Sequence, residues 1–164
     1  MNLPNKLTIL RLLMIPVFAA VFYLTIIPYN YAISAAIFLL AAFTDFLDGH
    51  IARKYNLVTN LGKFLDPIAD KVLVSTALII MLLPYGETVI LPFYAGIAVA
   101  IIIARELIVS GFRIIAANKG KVLAADKLGK IKTFIQDLAI VVLLVGASVM
   151  PGLYTLVNIV GLAL

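Results

Sequence analysis

Residues 31–53 read YAISAAIFLLAAFTDFLDGHIAR and residues 62–84 read GKFLDPIADKVLVSTALIIMLLP. Each run matches the roughly 20 residues an α-helix needs to cross a hydrocarbon core of about 30 Å. Within them lie Asp45, Asp48, Asp66 and Asp70, half of the chain's 8 acidic residues. A bare carboxylate at the membrane centre costs on the order of 2.5–3.5 kcal/mol even on the lenient insertion scale. These four therefore need water, counter-charge or a cation, and the neighbouring Arg53, Lys54, Lys63 and Lys71 place them beside a basic membrane boundary. Asp45 and Asp48 are spaced i, i+3, and Asp66 and Asp70 i, i+4, so each pair projects from one helical face. Two such helices set side by side would bring four carboxylates together.

Working outward, the 164 residues are 64% hydrophobic and 13% charged, with a mean hydropathy of +1.16. Soluble domains are roughly 45–50% apolar and 25% charged, so this is a membrane chain. Apolar runs are drawn at 7–28, 31–53, 62–84, 88–113, 128–149 and 153–164. The expected architecture is all-α: a single polytopic membrane domain over residues 1–164 with six transmembrane helices, and no room for a separate soluble domain. The sixth run is expected to be cut short, since twelve helical residues reach only about 18 Å. Before the first span, Asn2 to Arg11 alternates polar and apolar residues after a proline, which predicts a short N-terminal helix in the interface.

The turns Pro28-Tyr29-Asn30, Pro84-Tyr85-Gly86 and Pro151-Gly152 contain no Lys or Arg. All 13 basic residues fall at the N-terminus, around 53–71 or around 105–132. This asymmetry predicts a multi-pass protein of the cell membrane, with its N-terminus and basic segments in the cytoplasm. The net charge of +5 is then read as membrane-face charge meeting anionic lipids, with no nucleic-acid partner. Zero cysteines exclude disulfides and thiolate chemistry.

Four converging carboxylates repel one another unless a hard divalent cation sits among them. Without cysteine, and with one histidine, His50, read as interfacial, zinc-type ligation is disfavoured and magnesium is the natural occupant. Magnesium keeps coordination positions for phosphate oxygens, which points to a phosphate or diphosphate ligand. Gly49 and Ala52 leave a groove beside the first acid pair. Gly62 joins the stripe of Asp66 and Asp70 if the helix already runs through it; Pro67 fits either a first helical turn or a kink. Lone membrane aspartates can serve only as hydrogen-bonding groups, and Lys or Arg near span ends often only snorkel, but four acids at this spacing among small residues make a stronger pattern. Glu87 reads as a solvated turn residue.

The stretch from Asp45 to Asp70 matches D-x2-D-G-x2-A-R-x8-G-x3-D-x3-D at every specified position. It resembles the signature of the CDP-alcohol phosphatidyltransferases. Asn2 to Thr8 with Arg11, Asn56 to Asn60, Arg105-Glu106-Leu107 with Gly111 and Arg113, and Leu128 to Thr133 extend the likeness to the phosphatidylglycerophosphate branch of that family. The resemblance implies a six-helix homodimer among membrane lipids, with two Mg2+ (or Mn2+) ions per site. It further implies CDP-diacylglycerol as donor, sn-glycerol 3-phosphate as acceptor and CMP as the released product. Carried over, Asp45, Asp48, Asp66 and Asp70 bind metal, and Asp70 also serves as the catalytic base. Gly49, Ala52, Arg53 and Gly62 contact the CDP moiety, with Asn5, Thr8 and Arg11 covering the nucleotide.

The acceptor's phosphate needs cations, and Arg105 and Arg113, eight residues apart, share one helical face. With Lys130 and Lys132 at the start of the fifth span they form the expected acceptor-phosphate site. Lys119, Lys121 and Lys127 read as loop residues that meet headgroups. Other acceptors (inositol phosphate, serine, phosphatidylglycerol) remain alternatives within the family. From other classes, a divalent-cation transporter would show acids continuing across the membrane, and a prenyltransferase would release pyrophosphate rather than CMP.

Overall fold

In a computed structural model of the chain, residues 3–24, 26–54, 60–83, 90–118 and 127–149 are described. They form five α-helices: α1 (Leu3–Tyr23), α2 (Asn30–Lys54), α3 (Asn60–Leu82), α4 (Ala95–Asn118) and α5 (Lys127–Val149). No strand occurs among the described residues. The shortest helix, with 21 residues, reaches about 31 Å, the thickness of a bilayer core. By length and composition alone, Asn5–Tyr23, Ala95–Arg113 and Ile131–Ser148 are long and apolar enough to cross. The apolar stretch of α2, Asn30–Asp45, is shorter and ends at the first aspartate of the signature. The expected sixth span at 153–164 and the turns at 84–86 and 151–152 lie outside the described residues.

α1 packs chiefly along α2 and also against α3, α2 further contacts α5, and α4 leans on α3. The α1–α2 seam is aromatic. Phe18 and Phe38 are fully buried, with ring centroids 6.0 Å apart, and the rings of Phe22 and Tyr31 stand 5.1 Å apart. Buried Ala35, Ala41, Ala69 and Ala77 let backbones approach where lipid offers no hydrophobic drive for association. α4 is peripheral: Ile97, Ile101, Ile108, Phe112 and Ile115 are exposed along it, an outward face suited to acyl chains.

The first turn falls where the sequence places it. Tyr29 takes a left-handed conformation, with φ 58°, uncommon for a residue with a side chain. The following Asn30, buried, donates from Nδ2 to the Phe22 carbonyl at 2.7 Å. That bond satisfies one of the carbonyls left over at the end of α1.

The interfacial N-terminal helix is not a separate element. α1 runs unbroken from Leu3 to Tyr23 with Pro16 inside it. The reason is the face made by Asn5, Thr8 and Arg11, which is 6%, 0% and 0% exposed. A helix lying in the interface turns such a face to water; here it is turned into the bundle. α3 likewise begins at Asn60, so position 67 lies in the helix interior rather than at its first turn, and Gly62, Asp66 and Asp70 do share one stripe.

Candidate functional site

Arg11 is the pivot of the site. Its buried guanidinium donates from Nη1 to Asp45 Oδ1 at 2.6 Å and from Nε to the Ala41 carbonyl at 3.3 Å, joining α1 to α2. Thr44 Oγ1 donates to the same carbonyl at 2.6 Å. The arginine side chain is 0% exposed and the aspartate side chain 43% exposed. One carboxylate oxygen is thus held by the arginine while the group as a whole stays partly exposed.

On α3, Asp70 interacts electrostatically with Asp45, Lys71, Arg11 and Lys132. One member of each acid pair, Asp45 on α2 and Asp70 on α3, thus feels the other's charge. The side chains of Asp48, Asp66, Gly49, Ala52, Arg53 and Gly62 lie outside the described ones, although α2 and α3 carry these positions on the same segments. α5 adds an acid: Asp137 interacts electrostatically with both Asp70 and Asp45. Its Oδ1 is buried and has no hydrogen-bond partner among the described residues, as is also true of Gln136 Nε2.

Among the described residues no three acidic or histidine side chains form a ready metal-ligand group. The donor chemistry nevertheless fits a hard divalent cation. Asp45 and Asp70 interact electrostatically, and Asp137, whose buried Oδ1 lacks a hydrogen-bond partner among the described residues, is a third carboxyl that interacts with both, an all-oxygen donor set of the kind such a cation takes.

A second cluster joins α4 to α5. Glu106 accepts from Arg105 Nη1 at 2.6 Å and forms an ion pair with Lys132. Lys132 in turn interacts electrostatically with Arg105, Lys71, Asp70 and Asp137, which links this cluster to the aspartates. Further along α4, the Arg113 guanidinium reaches over α5: a Cβ built on Gly129 would lie 3.7 Å from its Nη2. The fifth helix can thus receive the arginine against bare backbone. Ser110 Oγ and Thr133 Oγ1 are turned inward to the carbonyls of Glu106 and Gly129, 2.6 and 3.2 Å away. Arg105, Arg113 and Lys132 are thereby gathered around one α4–α5 junction, while the side chain of Lys130 lies outside the described ones.

The sequence reading did not assign a role to Glu106 or Asp137. Both are acids inside long apolar runs, the same signal that singled out the four signature aspartates. The resemblance places Arg11 only as a nucleotide neighbour; its pairing with a residue 34 positions away has no signature in local spacing.

The family model for CDP-alcohol phosphatidyltransferase matches residues 1–164. A protein of Bacillus subtilis named CDP-diacylglycerol–glycerol-3-phosphate 3-phosphatidyltransferase is 44% identical over 154 residues, covering 87% of this chain and 76% of its own length. Proteins of the same name from Rickettsia bellii and Pseudomonas fluorescens are 46% and 40% identical. The first alignment covers 90% of this chain and 77% of the relative, the second 88% and 72%. A family match over residues 1–164, relatives 40–46% identical over most of both chains, and a signature lying on α2 and α3 lead to one conclusion: this membrane protein belongs to the CDP-alcohol phosphatidyltransferase family.

Proposed function

We infer that the chain transfers the phosphatidyl group of CDP-diacylglycerol to sn-glycerol 3-phosphate, giving phosphatidylglycerophosphate and CMP. The observation that carries this reading is the 40–46% identity, over most of both chains, to relatives named for that reaction. The geometry supports it, because an acidic centre and a cationic cluster meet at Lys132, suiting a metal-bound diphosphate beside a phosphate-bearing acceptor.

The family is generally divalent-metal dependent, and we place two magnesium or manganese ions on Asp45, Asp48, Asp66 and Asp70. Bound there, such ions would neutralise the diphosphate and the charge that develops on the departing CMP. Arg11 holds Asp45 in place through Oδ1 and leaves its second oxygen available. Asp70 takes the proton of the acceptor hydroxyl as that oxygen attacks phosphorus. The new phosphorus–oxygen bond forms on the acceptor, and the bond to the CMP phosphate breaks with its electron pair leaving on CMP. Arg105, Arg113, Lys130 and Lys132 hold the acceptor's phosphate. Gly49, Ala52, Arg53, Gly62, Asn5 and Thr8 accommodate the nucleotide. The protein is a homodimer in the cell membrane, with its N-terminus and site on the cytoplasmic side, as the distribution of Lys and Arg directs.

The purified protein in mixed micelles, given CDP-diacylglycerol and a panel of glycerol 3-phosphate, inositol phosphate, serine and phosphatidylglycerol, tests the assignment. Mass spectrometry should find phosphatidylglycerophosphate in the lipid phase and an equal amount of CMP in the aqueous phase, and a donor made chiral at the transferred phosphorus should react with inversion. Turnover of another acceptor alone would move the chain to a different branch. Divalent-cation flux in liposomes without CMP release would replace enzyme by transporter.

A further inference from the structure

We propose that Glu106 is a positioning residue for the acceptor: its carboxylate fixes Lys132 and Arg105 in the arrangement that receives the phosphate of glycerol 3-phosphate. The inference rests on the acceptor-site reading above and adds to it the group that sets the geometry. Among the described residues the backbones of α4 and α5 do not come close together. Their junction is made by long side chains, namely Lys132 to Glu106 and Arg113 over Gly129. Lys132 also lies near Arg105 and Lys71, and three like charges at one site tend to splay toward solvent or headgroups. Lysine is a flexible point charge with high rotamer entropy, so a lysine that must meet a small dianion gains most from an anchor already in place.

Glu106 is suited to be that anchor. Its side chain is 22% exposed, less than either partner: Lys132 is 33% and Arg105 51% exposed. The anchor is therefore sheltered while the cations it holds stay open to a ligand. One carboxylate oxygen, Oε1, meets both cations, drawing an ammonium from α5 and a guanidinium from α4 to a common point. Lys132 also faces Asp70 electrostatically, so fixing it sets the distance from the acceptor's phosphate to the base. The contrary role, a carboxylate that occupies the phosphate's place and competes with it, has the opposite sign in the assay.

The test compares Glu106→Gln, Glu106→Asp, Lys132→Met and the Glu106→Gln/Lys132→Met double variant. KM is measured separately for glycerol 3-phosphate and for CDP-diacylglycerol. Losing a charge-assisted anchor should raise the acceptor KM of Glu106→Gln about tenfold or more, with the donor KM within about twofold of wild type. Glu106→Asp should recover part of the loss, and the double variant should cost less than the two single losses multiplied together, because one of the two cations that Glu106 holds is already gone. If Lys132→Met raises the acceptor KM but Glu106→Gln leaves it unchanged or lowers it, the positioning role is overturned and the acceptor site stands. If neither variant moves it, the acceptor-site reading falls and the inference with it. Should Glu106→Gln fail to accumulate, Glu106→Asp decides: a rise in acceptor KM alone supports the proposal, and equal loss for both substrates overturns it.

Discussion

Replacing Arg11 and Asp45 separately should destabilise the protein by unequal amounts, for a reason visible in their exposure. Breaking a buried ion pair by removing one partner costs about 3–5 kcal/mol when the survivor stays buried. Asp45→Ala leaves a guanidinium that is 0% exposed without its carboxylate, and should cost about 3 kcal/mol. Arg11→Met leaves a carboxylate whose side chain is 43% exposed, which water can rehydrate, so about 1–2 kcal/mol is expected. Methionine also keeps much of the apolar stem. The double variant removes both charges, and its cost should fall short of the sum of the singles by about 1–3 kcal/mol. Equilibrium unfolding in mixed detergent micelles can be read from tyrosine fluorescence, since the chain has 7 tyrosines and no tryptophan. Additive costs, or a larger penalty for Arg11→Met than for Asp45→Ala, would refute the claim that this ion pair ties α1 to α2. Phosphatidyl transfer should be lost in Asp45→Ala and stay lost in the double variant even where stability returns, separating the fold role of the pair from the proposed metal role of the aspartate.

Asp70→Asn should lower kcat by about 10²–10⁴-fold, as expected for removal of a general base, in a preparation whose unfolding midpoint is not reduced; retention of more than a tenth of the activity would move the base elsewhere. Chelation with EDTA should abolish CMP release, and magnesium or manganese should restore it, whereas undiminished turnover in chelator would remove the metal from the mechanism. Asn30→Ala deletes the donor to the Phe22 carbonyl at the α1–α2 turn and should cost about 1 kcal/mol while leaving both KM values unchanged; an unchanged unfolding midpoint would mean the bond contributes nothing there.

Much of the fold was legible because its causes are local. Apolar length bounded by Pro-Tyr-Asn predicts α2, and the structure starts it at Asn30, one residue from the expected position. The run at 128–149 became α5, Lys127–Val149. Local pattern misleads where tertiary packing overrides it. Residues 2–11 look amphipathic and suggest a helix resting on the membrane surface, but the polar face of Asn5, Thr8 and Arg11 is satisfied inside the bundle, so the helix continues into the span. The fourth run, drawn from residue 88, begins as a helix only at Ala95. Before it, Leu91 donates from its backbone to the Met81 carbonyl at 3.0 Å, folding that segment back onto α3. Hydropathy cannot distinguish an apolar residue packed in this way from one inside a helix.

The aspartates show the same division at the site. Their i, i+3 and i, i+4 spacing needs only helical periodicity, and that is enough to define two acidic faces and to ask for a hard cation. Charge placement along the chain likewise predicts, with no tertiary structure, that the basic segments share one side of the membrane. Which charges meet was decided by packing alone. Arg11 finds Asp45, Glu106 finds Lys132, and Asp137 comes within electrostatic reach of Asp45 and Asp70 because separate helices come to lie together. Periodicity describes each helix about its own axis, whereas the rotation and depth of one helix against another depend on seams such as Phe18 on Phe38, and only those seams determine which charged side chains share a site.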